Sequence, residues 1–220
     1  MFNNYTMQRN EARRCKAPDC HRMRSRYSSC CHVHHERLHQ FGHCWGKAIL
    51  PRTYAVDEAE IAAFVEAHAG HAAITASVSW LQSWIDRACR GEPGTPAARA
   101  FQRLNDHGVT ALQVFVRAIA VWIHCYRNKR AVPDDMRALD YAISRAVLAL
   151  APRERIVGAT RTQRRYRSHP ASARREIGPA IRDKLAPVFA SIVVGLEDQH
   201  NARLKRAEDL RRPFAIVLPD

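Results

Sequence analysis

The sequence predicts a mainly α-helical protein with a small metal-stapled module near its N-terminal end. Three observations lead there. Cys15, Cys20, Cys31 and His34 fall in the pattern C-x4-C-x10-C-x2-H, and all four side chains are metal ligands. From Asp57 to Leu150 apolar residues recur at spacings of three and four, the helical period. Outside the module, alternating strand-like patterning is confined to the tail, Phe214 to Leu218. The expected organisation is a treble-clef-like module over 1–50, a helical core domain over 51–150, a basic arm over 151–176, and a C-terminal helix and tail over 177–220 packing on the core. Five to six helices are expected beyond the module.

The module comes first. The pairs C-x4-C and C-x2-H each bring two donors to one point, and a closed set of four describes one structural Zn2+ rather than a catalytic one. Cys30, His21, His32 and His35 neighbour this set and are alternative ligands. Cys31 and His34 are preferred because a short helix, His34 to Phe41, follows them and stops at Gly42, which accepts the left-handed conformation that ends helices. Arg22 to Tyr27 reads as a hairpin between the two halves. A unit this small cannot bury enough apolar area to fold alone, so metal binding would be its folding energy.

The helices follow in order. Asp57, with Glu60 three residues on, reads as a capping box ahead of Ile61, Phe64 and Val65, and Gly70 as that helix's end. His71 to Ala88 carries Ile74, Val78, Leu81 and Ile85 on one stripe, with Trp80 and Trp84 beside it. Gly91-Glu92-Pro93-Gly94 is a loop. Thr95 then caps a helix with Pro96 at its first position and Phe101 and Leu104 facing inward, running to Gly108. Thr110 opens the most apolar helix, which includes Phe115, Ile119 and Trp122. Pro133-Asp134-Asp135 breaks and recaps the chain before the stripe Met136, Leu139, Ile143, Val147 and Leu150. Ile181, Leu185, Val188, Ile192 and Leu196 mark a last long helix, kinked or started late at Pro187.

Charge is the second strong signal. The chain holds 35 basic and 21 acidic residues, a net charge of +14. Residues 9–52 hold ten Lys or Arg against three acids, and residues 152–175 hold eight Arg against one. Two basic blocks on an otherwise balanced chain imply two contact zones for a polyanion. Arginine dominates both, and its planar fork matches phosphate oxygens. The candidate contacts are Arg13, Arg14, Arg22, Arg24, Arg26 and Arg37 in the module, and Arg161, Arg164, Arg165, Tyr166 and Arg167 in the arm. There the tyrosine stacks on a base while the arginines hold phosphates.

The run CKAPDCHRMRSRYSSCCHVHHERLHQFGH resembles a zinc-binding module of phage and mobile-element proteins. That module accompanies HNH endonucleases and DNA-binding domains. The resemblance implies zinc on Cys15, Cys20, Cys31 and His34, a basic helix position at Arg37 and a stop at Gly42. It also favours DNA over RNA. This chain departs from the pattern at His35, where an aromatic is usual, and at His39 and Gln40, where arginines are usual.

Enzymatic readings find little. An HNH nuclease needs its histidine base and metal-binding histidine on a ββα scaffold. Asn105-Asp106-His107 and His200-Asn201 have the letters but lie in helical surroundings. Glu197-x-x-His200 and Glu36-x-x-His39 are halves of a di-iron motif without the carboxylates that complete it. Glu66, His68 and His71 flank Gly70 and read as a helix-end surface. No Gly-rich phosphate loop and no G-x-S-x-G is present.

The expectation is therefore a non-enzymatic, zinc-dependent nucleic-acid-binding protein. The rivals are a module that meets an acidic protein partner and a diverged nuclease. Seven cysteines, with Cys89 and Cys125 in apolar contexts, point to a reducing cytoplasm. The opening residues lack the apolar run of a signal peptide. No stretch is long enough to span a bilayer, and Val109 to Tyr126, the nearest candidate, carries Arg117 and reads as a buried helix.

Overall fold

The computed structural model describes residues 13–25, 28–90, 94–129, 131–132, 135–152 and 170–211. Among these residues lie seven helices and no strand. They are α1 (His32–Phe41), α2 (Pro51–Ala67), α3 (Ala72–Cys89), α4 (Pro96–Asp106), α5 (Ala111–Arg127), α6 (Met136–Leu148) and α7 (Ala171–Arg211). The mainly helical expectation holds, with six helices beyond the module.

Local chemistry explains most boundaries. The Thr95 hydroxyl accepts from the Ala98 N–H at 3.1 Å, and Pro96 occupies the first turn of α4. Thr110 and Gln113 exchange side-chain and backbone hydrogen bonds in a complete capping box at the start of α5. The Asp135 carboxylate accepts from the Arg137 N–H at 2.8 Å and caps α6. Gly42 follows α1 with φ of 77° and donates back to the Leu38 carbonyl at 3.0 Å.

Two helix starts differ from expectation by more than a turn, and α2 ends at Ala67, three residues before Gly70. Asp57 is not a cap. Pro51 opens α2 six residues earlier, and Asp57 lies inside that helix, buried. Its oxygens meet His124 Nδ1 at 3.0 Å and an Arg127 nitrogen at 2.8 Å. Arg127 also reaches Glu60, and Arg117 joins Glu58 at 2.7 Å and the Tyr54 hydroxyl at 3.2 Å. A polar seam thus joins α2 to α5. The last helix begins at Ala171 and passes through both Pro179 and Pro187. An interior proline costs about 3 kcal/mol. The seven-residue buried stripe Ala173, Ile177, Ile181, Leu185, Val188, Ile192 and Leu196 outweighs that cost. Beyond it, residues 201–208 are exposed on every face. The tail expectation at Phe214 to Leu218 lies outside the described residues.

α5 is the hub. Val114, Phe115, Ala118, Ile119, Ala120, Val121 and Ile123 are buried, and the helix packs against α2, α3, α6 and α7. α4 packs on α3 and α7, where Trp84 meets Phe101 at 4.4 Å between centroids. Among the described residues no single helix is long and apolar enough to cross a membrane.

The N-terminal module docks on α6. Gly42 lies so close that a Cβ there would fall 2.6 Å from the Arg137 carbonyl oxygen and 2.9 Å from the Tyr141 ring. The Arg145 guanidinium covers the Phe41 ring at 4.8 Å and donates to the Gln40 carbonyl at 3.3 Å. Arg174, at the start of α7, donates to the His39 carbonyl at 3.3 Å. Two cations therefore meet the carbonyl end of α1, where the helix dipole is negative.

Candidate metal centre and basic surface

The centre is built from a knuckle and a helix end. The knuckle, Cys15 to Cys20, turns through Asp19, a residue with φ of 56°. An antiparallel bridge between Arg14 and Met23 closes it: Cys15 N–H donates to the Arg22 carbonyl and Arg24 N–H to the Arg13 carbonyl, both at 2.9 Å. Of the expected hairpin over Arg22 to Tyr27, Arg22 to Arg24 pair back across the knuckle, and the Ser25 N–H donates to the Cys30 carbonyl at 2.9 Å. Arg26 and Tyr27 lie outside the described residues. The helix end is the first turn of α1, with Cys31 at the cap and His34 one turn in.

These elements bring Cys15, Cys20, Cys31 and His34 together, with one donor atom from each within 4.8 Å of the others. Cys15 Sγ lies 3.4 Å and Cys31 Sγ 3.5 Å from His34 Nδ1, and Cys20 Sγ lies 3.9 Å from Cys31 Sγ. Cys15, Cys31 and His34 are buried and Cys20 is half-buried. The set could hold one metal ion. Spacing alone did not say that the imidazole presents Nδ1; the geometry does.

The electrostatics favour ligation at Cys15. Burial pushes its thiol up, but N–H donors from Cys31 at 3.1 Å and Ala17 at 3.4 Å, with His34 and Cys20 beside it, bring it down to about 6. The thiolate is the ligand form. For Cys20 the Arg22 N–H lowers the thiol, yet burial and the neighbouring Cys31 and Cys15 raise it more.

The alternative ligands are not among the four donors that converge. Cys30 is buried beside it, with its thiol raised first by burial and Sγ 3.9 Å from Ser29 Oγ. His21 and His32 are exposed. His35 meets His39 edge-on at 4.4 Å, and burial lowers its pKa. Trp45 tilts over the outer side of the centre, 5.1 Å from the His34 ring.

The predicted cationic contacts divide. Arg13, Arg14 and Arg22 are exposed on the paired segments around the knuckle. Arg24 is half-buried, with Nε donating to the Arg14 carbonyl at 2.9 Å. Arg37 is half-buried on α1. Arg26, Arg161, Arg164, Arg165, Tyr166 and Arg167 lie outside the described residues. From the second basic block Arg174 takes a structural place against α1, and burial lowers its pKa. The nuclease-like letters do not converge: Asn105, Asp106 and His107 are exposed at the end of α4, and His200 and Asn201 on α7. No family model, curated protein or solved structure matches the chain.

Proposed function

We propose that the module binds one structural zinc ion and that the protein uses it to hold an arginine surface against nucleic acid. The observation that carries the zinc reading is the shape of the donor set. In a regular tetrahedron with Zn–S of about 2.3 Å and Zn–N of about 2.1 Å, sulfurs lie about 3.8 Å apart and sulfur and nitrogen about 3.6 Å. Three of the six separations, 3.9, 3.4 and 3.5 Å, fit those edges, and all donor atoms lie within 4.8 Å of one another. Three thiolates and an imidazole are soft and borderline donors that suit zinc, and a closed set of four has a structural role.

The nucleic-acid reading draws its support from charge and position. The knuckle's own pairing sets Arg13 and Arg14 beside Arg22, all exposed, on a chain of net charge +14. Such contacts give affinity and register without reading sequence. The module's resemblance to DNA-associated zinc modules of phage and mobile elements supports DNA as the polyanion, with the protein acting by binding rather than by catalysis.

The test is fluorescence anisotropy of labelled DNA over a salt series, with and without a zinc chelator. About six phosphate contacts give a slope of log affinity against log salt near −5. Arg13→Ala with Arg22→Ala should flatten it by about 2, and chelation should abolish saturable binding. A flat salt response in the wild-type protein would sink the reading and turn the arginines toward an acidic protein.

A further inference from the structure

A groove of about 340 Å³ opens between the C-terminal end of α5 and the N-terminal end of α6. Trp122, Tyr126, Val132 and Met136 supply apolar wall, and Lys129 and Asp135 supply one charge of each sign. Tyr126 is 53% and Met136 55% exposed, so the groove presents apolar surface to solvent. The aromatic wall is braced from behind. Phe189 of α7 stacks on Trp122 at 4.2 Å with only 10° between planes and meets Tyr126 edge-on at 6.0 Å. α7 therefore holds the aromatic side of the groove in place.

Its size is at the lower end of small-ligand sites, which run from about 300 to 1,000 Å³. That volume admits one ring-bearing group, not a helix. Its chemistry is an aromatic face with a neighbouring ammonium, the pairing that stacks a base and holds its phosphate. Asp135 supplies a carboxylate acceptor for the N–H groups on a base edge. Its position joins it to the basic module. Val132 also lines the narrow crevice between module and α6, whose other walls include Lys47 and Arg145.

We propose that this groove takes one unstacked base of a single-stranded nucleic acid, with Tyr126 as the stacking face and Lys129 on the adjoining phosphate. The proposal rests on the nucleic-acid reading above and deepens it. Bases inside a duplex are already stacked, so the groove makes the protein prefer single strands.

The full-length, zinc-loaded chain is tested against a labelled twelve-residue single strand, as DNA and as RNA, and against the DNA duplex of the same sequence. Tyr126→Ala should weaken single-strand binding by roughly 5- to 150-fold, the loss of one base stack, and leave duplex binding unchanged. Lys129→Ala should reduce the single-strand salt slope by about 0.7 and leave the duplex slope unchanged. Both side chains lie at the surface, so neither change threatens the fold. The DNA and RNA arms show which strand the groove accepts. Tyr126→Ala weakening both forms equally, or neither, overturns the groove while the arginine surface stands. Saturable binding by no nucleic acid at all overturns both readings.

Discussion

Replacing Gly42 by alanine tests how tightly the metal module is joined to the helical domain. The glycine has φ of 77°, and an L-residue in that conformation costs about 1–2 kcal/mol. The added Cβ also meets the Arg137 carbonyl at 2.6 Å and the Tyr141 ring at 2.9 Å. A backbone carbonyl in the first turn of α6 cannot swing aside, so the end of α1 must lift. Lifting strains the Arg145–Phe41 contact, worth about 0.5–1 kcal/mol at a partly exposed site. It also lengthens guanidinium bonds to the Gln40 and His39 carbonyls that are already 3.3 Å long and worth about 1 kcal/mol each at most. The expected loss is about 2–4 kcal/mol in the docked state, which is a fall in amide protection across α1 of roughly 30- to 900-fold. Hydrogen exchange of the peptide spanning residues 32–46 reads it directly. Gly70→Ala is the control, because nothing lies within 4 Å of a Cβ there. It should change protection negligibly, as surface substitutions stay within about 0.5 kcal/mol. Indistinguishable exchange in the two variants would refute the docking argument.

Four further expectations follow from the same contacts. His34→Ala and Cys31→Ser should each abolish stoichiometric zinc binding in mass spectrometry of the intact protein under native conditions, whereas Cys30→Ser should retain one ion. Chelation should change the fluorescence of Trp45, which lies against His34, and a variant holding only that tryptophan isolates the signal. Asp57→Ala should cost about 2–3 kcal/mol in urea unfolding, less than the 3–5 of a fully buried pair because the Arg127 side chain is 40% exposed and can rehydrate. Gly178→Ala should cost at least as much, since its Cβ would run into the Asp140 backbone carbonyl where α6 and α7 cross, and a thermal melt measures it.

The parts that the sequence made legible are those whose chemistry is local. Ligand spacing within a few residues named Cys15, Cys20, Cys31 and His34, and side chains that bond their own neighbours named the caps Thr95, Thr110 and Asp135. The illegible parts are set by partners far along the chain. Asp57 has the letters of a cap, but His124 and Arg127, 67 and 70 residues away, draw it into the seam between α2 and α5. Arg145 and Arg174 look like two more cations on a basic chain. Only the folded structure brings them to the carbonyl end of α1. The early start of α7 was hidden because two prolines argue locally against a helix that tertiary burial sustains.

The clamp on α1 also sets a timetable for synthesis. The four candidate ligands all lie between Cys15 and His34, and closing so short a loop costs little entropy, so a metal ion could staple the module as soon as they have been made. Its dock arrives much later. Arg145 follows Gln40 by 105 residues and Arg174 follows His39 by 135. At roughly 5–20 residues per second that is an interval of several seconds or more. Throughout it the module is without its seat, and the Phe41 ring lacks the guanidinium that later covers it. The nascent chain is therefore open to misassembly between the synthesis of α1 and that of α7.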